Sequence, residues 1–215
     1  MKILEEILQL FADRTDFFVQ LLIQHIILSG ISILIITVVG ITLGVLISEN
    51  KSLATLVLAL TNFFYTIPSI ALFGFLVAIT GIGAKSAIIA LVIYGLLPII
   101  RNTYVGLVEI DPQIIEAALG MGSTEFQILR KIRFPLALPV IFAGFRNMVV
   151  MTISLAGIAS FIGAGGLGVA IWRGITTNYP AMTIAGSLLV AILAILSDIL
   201  LGLIEKRIGG IYHEK

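Results

Sequence analysis

The sequence has no cysteine, which excludes disulfides, thiolate catalysis and Cys-ligated metals and leaves the redox compartment open. Charge is the second scarcity. Only 12% of its 215 residues are Asp, Glu, Lys or Arg, about half of the ~25% carried by a soluble domain, too few to cover a water-facing surface. Thirteen basic against twelve acidic residues leave a net +1, which sets up no field for nucleic acid or a strongly charged substrate. The two histidines, His25 and His213, stand far apart without ligand partners, so the pattern holds no metal site. What abounds is apolar: 59% of residues are hydrophobic and mean hydropathy is +1.16. This is the composition of an integral membrane protein. The first fourteen residues are acidic and amphipathic, unlike the basic leader of a cleavable signal peptide.

A membrane helix needs about 20 largely apolar residues. Runs of that kind occupy residues 24–47, 53–79, 87–100 continuing past Arg101, 136–162 and 181–203. The second carries Asn62, Tyr65, Thr66 and Pro68 at its middle. Proline there removes a backbone donor, so the run is one kinked span or two short ones. The expectation is an all-α bundle of five spans, six if that run is broken, forming one domain over residues 1–215. Residues 1–20 read as an amphipathic segment, with Ile3, Leu4, Ile7, Leu8 and Phe11 on one face, either lying at the interface or packing on the bundle edge. Placing the 109–135 loop in the cytoplasm puts Lys51, Arg101, Arg130, Lys131, Arg133, Lys206, Arg207 and Lys215 inside, against Lys2, Arg14, Lys85 and Arg173 outside. That bias predicts N-out, C-in.

Residues 109–135 hold seven charges: Glu109, Asp111, Glu116, Glu125, Arg130, Lys131 and Arg133. Asp111-Pro112 reads as a helix start, with Ile114, Ile115, Ala118 and Leu119 along one face. Gly120 and Gly122 are expected to break that helix. Thr124 and Gln127 fit a capping box opening a second, whose apolar face is Phe126, Leu129 and Ile132 and which Pro135 ends. Two short cytoplasmic helices joined at a glycine hinge suit a groove on a partner. From the residues alone, an interfacial pair without a partner fits equally.

Glu116-Ala117-Ala118, three residues, Gly122, nine residues, Ile132-x-Phe134-Pro135 resembles the EAA motif of ABC importer permeases, with Phe134 where leucine is usual. Thr66-Ile67-Pro68-Ser69, Pro98-Ile99-Ile100-Arg101-Asn102-Thr103-Tyr104 and the stretch from Phe161 to Gly168 are similar to permeases of osmoprotectant importers for glycine betaine, carnitine or choline. Methionine-importer permeases share the fold and the loop. The resemblance covers roughly residues 20–207. It implies a multi-pass protein of the cytoplasmic membrane working by alternating access. It implies two cytoplasmic ATPase subunits, a second permease (the same chain or a sister) and an extracytoplasmic substrate-binding protein. It also implies that Glu116, Ala117, Ala118, Gly120, Gly122, Ile132 and Pro135 form the ATPase-coupling element. This chain would bind no cofactor itself, ATP and magnesium belonging to the ATPase, and it would be no enzyme.

A quaternary ammonium substrate would meet aromatic faces. Asn62, Tyr65, Thr66 and Ser69 are therefore the first candidates for its path, with Asn147, Thr152 and Ser154 next; interhelical hydrogen bonds are the plainer role for each. Arg146 and Asp198 are the two deeply placed opposite charges, expected either to pair across the last two spans or to find separate partners. Gly163-x-Gly165-x-x-Gly168 matches a dinucleotide fingerprint in form only, since an apolar helix precedes it and no acid follows at the required ~20 residues. Ala84-Lys85-Ser86 lacks both glycines of a phosphate-binding loop. Trp172 and Tyr179 are read as interface aromatics. An ion-gradient transporter would need more intramembrane acids than Asp198, and no nucleophile–base set lies at common depth for an intramembrane enzyme.

Overall fold

A computed structural model describes the backbone of residues 2–213 and the side chains of residues 2–207; the side chain of His213, and all of Lys215, lie outside the described residues. Every element is helical: α1 Lys2–Asp13, α2 Thr15–Ser48, α3 Lys51–Thr66, α4 Ser69–Thr80, α5 Ala84–Val108, α6 Pro112–Gly120, α7 Glu125–Ile128, α8 Phe134–Ala159, α9 Gly168–Thr176 and α10 Pro180–His213. Among the described residues four stretches are long and apolar enough to cross a membrane, Thr15–Ser48, Ala84–Val108, Glu125–Ile162 and Pro180–Arg207. A fifth becomes available if α3 and α4, bent by 97° at their junction, count as one broken span.

The break follows from Pro68. Its ring cannot donate to the preceding turn, α3 stops at Thr66, and Ile67 is extended. The Ile67 carbonyl exposed by the break accepts the Tyr94 hydroxyl from α5, which meets the need for internal satisfaction at that depth. At the N-terminus the helix boundary departs from expectation. Only residues 2–13 form the amphipathic helix, and α2 begins at Thr15. Ile7 and Leu10 of α1 are buried against Phe18, Leu21, Ala181, Met182 and Ala185, while Ile3, Leu4 and Leu8 stay exposed. The same helix thus packs on the bundle and presents an apolar edge outward.

α5 is the central helix, with α2, α3, α4 and α8 packed around it. Its contact with α2 is close because small residues meet large ones: Gly40 and Gly44 on α2 face Ile99 and Thr103, and Gly95 on α5 faces Ile36. In lipid such small residues let helices gain van der Waals contact that water cannot drive. A Cβ at Gly44 would lie 2.5 Å from the Thr103 Cβ and 3.2 Å from the Ile100 carbonyl oxygen. Gly44→Val should therefore lower the thermal unfolding midpoint of the purified protein by roughly 5 °C, as ~1–3 kcal/mol of overpacking requires. Gly30→Val, at a position with nothing within 4 Å, should leave it unmoved.

Between α8 and α10 the chain makes more than the expected glycine-rich link. Gly163, Gly165 and Gly166 take positive φ, and α9 follows before the last span. Both ring nitrogens of the fully buried His25 on α2 are engaged here: Nε2 lies 3.0 Å from the Ile153 carbonyl and Nδ1 accepts from Leu167 N–H at 3.3 Å. Gln24 Oε1 accepts from Gly166 N–H at 3.1 Å. The loop is thereby fixed to the first long helix. Trp172 on α9 packs against Phe161, the rings tilted by 39° with centroids 4.8 Å apart.

Candidate functional site

The 109–135 segment folds as local chemistry demands at most of its joints. Asp111 caps α6 by accepting from Gln113 N–H at 2.9 Å, ahead of Pro112 in the first turn. Gly120 is the last residue of α6, with open space around it and no positive φ, so it does not break the helix. The stop falls at Gly122, whose φ is +83°. There Gly122 N–H reaches the Leu119 carbonyl and Ser123 N–H the Ala118 carbonyl, closing the free end of α6. Thr124 and Gln127 then form a reciprocal capping box at 2.9 and 3.3 Å.

The second helix departs from expectation at its far end. Pro135 does not terminate it. After α7 the chain passes through a π-turn, Leu129–Arg133, in which Phe134 N–H donates to the Leu129 carbonyl, and the helix runs on as α8. The wider turn shifts the carbonyls ahead of Pro135 off the α register, so a residue without an N–H is carried along. The inward residues also differ. Ala118 and Ile128 are buried, while Phe126 is 68% and Met121 80% exposed. Leu129, Ile132 and Pro135 are half-buried, and Glu116 and Ala117 face outward. The outer surface of this element is thus a small apolar rim of Leu119, Met121 and Phe126 beside the Glu116 carboxylate.

One residue that the sequence did not single out ties this element to the bundle. The Arg133 Nε and Nη2 each donate to the Leu107 carbonyl at 3.2 Å, and its Nη1 pairs with Glu49. Leu107 lies in the last turn of α5, and Glu49 caps the C-terminal end of α2. The only prior signal was an arginine wedged between Ile132 and Phe134.

The polar candidates divide. Asn147 and Ser154 are exposed along one face of α8 with the half-buried Met151 between them, and the Tyr65 hydroxyl from the α3 end reaches Met151 Sδ at 3.6 Å. Tyr65 also packs edge-on against Tyr94 at 5.9 Å. These residues share one open face. Thr152 does not join it: it is fully buried, its hydroxyl spent on the Met148 carbonyl. Asn62 and Thr66 bond back to Leu58 and Phe63 in their own helix, and Ser69 opens α4 half-buried.

Arg146 meets Asp198 through two hydrogen bonds, Nε to Oδ1 at 2.6 Å and Nη2 to Oδ2 at 2.8 Å. A third runs from Nη1 to Glu205 at 2.7 Å, an acid the sequence analysis did not pair with Arg146. Asp198 and Glu205 are two helical turns apart on α10, so one guanidinium fork spans both. Gly202 lies between them, where a Cβ would come within 3.1 Å of the guanidinium carbon.

Residues 36–210 match the profile of the family described as binding-protein-dependent transport system inner membrane component. The chain is 38% identical over 216 aligned residues to the glycine betaine/carnitine/choline transport system permease protein OpuCD of Bacillus subtilis (strain 168), spanning 100% of this chain and 94% of that one. It is 43% identical over 194 residues to the osmoprotectant import permease protein OsmW of Salmonella typhimurium, covering 88% and 90% of the two. Among solved structures it is similar to the MetNI methionine ABC transporter in inward-facing conformations, with a TM-score of 0.78 and 28% identity over 88% of this chain and 95% of that one.

Proposed function

We propose that this chain, which belongs to the family of binding-protein-dependent transport system inner membrane components, carries a small quaternary-ammonium osmoprotectant such as glycine betaine, carnitine or choline across the cytoplasmic membrane. It is the permease subunit of an ATP-driven importer and no enzyme; hydrolysis belongs to a separate ATPase. The observation that carries this reading is the closed α6–α7 element with Glu116, Ala117 and an apolar rim turned outward, in a chain 38% identical end to end to a permease of that class.

On this reading the chain spans the membrane five times, N-out and C-in, pairs with a second permease copy or sister, and receives substrate from an extracytoplasmic binding protein. Two ATPases carrying ATP and magnesium dock on the cytoplasmic elements. Their closure drags Glu116–Ala118 and, through Gly122, the helix that becomes α8. Nucleotide shifts the inward–outward equilibrium only by its different affinity for the two states. Methionine is the alternative cargo. Uptake of labelled betaine, carnitine, choline and methionine by proteoliposomes holding the complete complex decides between them; uptake of methionine alone overturns the osmoprotectant assignment.

The face shared by Tyr65, Asn147 and Ser154 supports a path along α8 and the α3–α4 break. Tyr65→Ala and Asn147→Ala should each slow uptake several-fold, roughly 1 kcal/mol of lost aromatic or polar contact, with complex yield unchanged. Thr152→Val, removing a hydroxyl that bonds only its own helix, should transport normally. Equal rates in all three variants would move the path elsewhere.

A further inference from the structure

We infer that Arg133 is a positioning residue for coupling: a strut that passes displacement of the docking element into α2 and α5 together. The inference rests on the reading of Pro112–Gly120 as the ATPase-docking helix. Three observations carry it. First, the Arg133 side chain is largely buried, 17% exposed, and all three of its nitrogens are used. Second, its partners belong to two different helix ends, the Leu107 carbonyl of α5 and Glu49 at the cap of α2, where the negative ends of both helix dipoles converge. A fixed cation there is favoured twice over. Third, Arg133 is the last residue of the π-turn that joins α7 to α8, and such turns recur at functional sites.

The docking helix touches the rest of the chain at few points. α6 packs on α7, Ala118 of the one and Ile128 of the other being buried, and Glu116 and Arg133 line one shallow groove with Leu107, Ile110 and Ile115. A push on α6 therefore reaches the π-turn directly, and from there a planar fork holds the ends of α2 and α5. A lysine at this position supplies one point charge and no fork. Without the strut the turn could move while the two helices stayed, and ATP hydrolysis would run without transport.

The test uses the assembled importer with its ATPase and binding protein in proteoliposomes, reading substrate moved per ATP hydrolysed. Arg133→Gln should lower that ratio about tenfold, the scale of losing charged hydrogen bonds, and Arg133→Lys should restore only part of it. Glu49→Gln, which leaves the Leu107 bonds in place, should lower it less than Arg133→Gln. If Arg133→Gln fails to assemble, the Glu49→Gln ratio alone decides: an unchanged ratio there overturns the strut, a lowered one supports it. An unchanged ratio in assembled Arg133→Gln also overturns it. Failure of the unsubstituted chain to hold an ATPase would instead overturn the docking reading.

Discussion

Gly122→Val should abolish most uptake while the protein still inserts and folds, and Gly120→Ala, two residues away, should do nothing. Both glycines have empty space around them, so added bulk is not the difference. The difference is backbone conformation. Gly122 holds φ +83° and Gly120 a helical angle, and a β-branched residue in the left-handed region costs upwards of ~1–2 kcal/mol. The turn would rearrange, the Gly122 and Ser123 N–H bonds that close α6 would be lost, and α6 would swing away from the angle that the proposed docking requires. Uptake should fall by roughly tenfold or more for that energy, with ATPase stimulation falling alongside. Glu116→Lys, which leaves the turn intact and reverses the charge offered to the partner, should give the same loss. Survival of transport and stimulated hydrolysis in Gly122→Val and Glu116→Lys would remove this element from the docking role.

That contrast also marks what was legible in the sequence. Asp111-Pro112, the Thr124–Gln127 box and the interruption at Pro68 could be read directly, because caps and breaks depend on neighbours a few residues away. The long apolar runs likewise marked the helices that are long and apolar enough to cross a membrane. Gly120 and Gly122 looked alike because composition does not reveal which of two glycines takes the left-handed angle. Pro135 looked like a terminator because proline usually ends a helix, whereas here the π-turn Leu129–Arg133 carries the helix past it. Arg133 was counted only as a cytoplasmic charge, since its partners lie 26 and 84 residues away. α9 escaped because its nine residues, Gly168–Thr176, are too few to register as a span. Thr152 was set with Asn147 and Ser154 although a five-residue step on a helix turns it to the far side.

Reversing the charge at Arg146 should be among the most damaging single changes in the spans. Arg146→Asp would set three acids against one another where α8 meets α10, and Asp198→Arg would bring two guanidinium groups together. Unpaired or like charges at membrane depth are costly, and removing one partner of a pair strands the other. Each single variant should cut uptake and the yield of folded complex by roughly tenfold or more. The double exchange should recover part of both, because an opposite pair is restored. Recovery should stop short of full, because Glu205 now faces the acid placed at position 146 instead of the Nη1 it held at 2.7 Å. Adding Glu205→Gln to the double exchange should raise recovery further, which a simple two-residue pair would not require. Gly202→Val tests the same joint without altering charge, since its side chain would push the guanidinium off both carboxylates. It should lower thermal stability in the unsubstituted background and have much less effect once Arg146 is replaced by methionine. No recovery in the double exchange, or equal damage from Gly202→Val in both backgrounds, would show that this cluster does not fasten the last two spans.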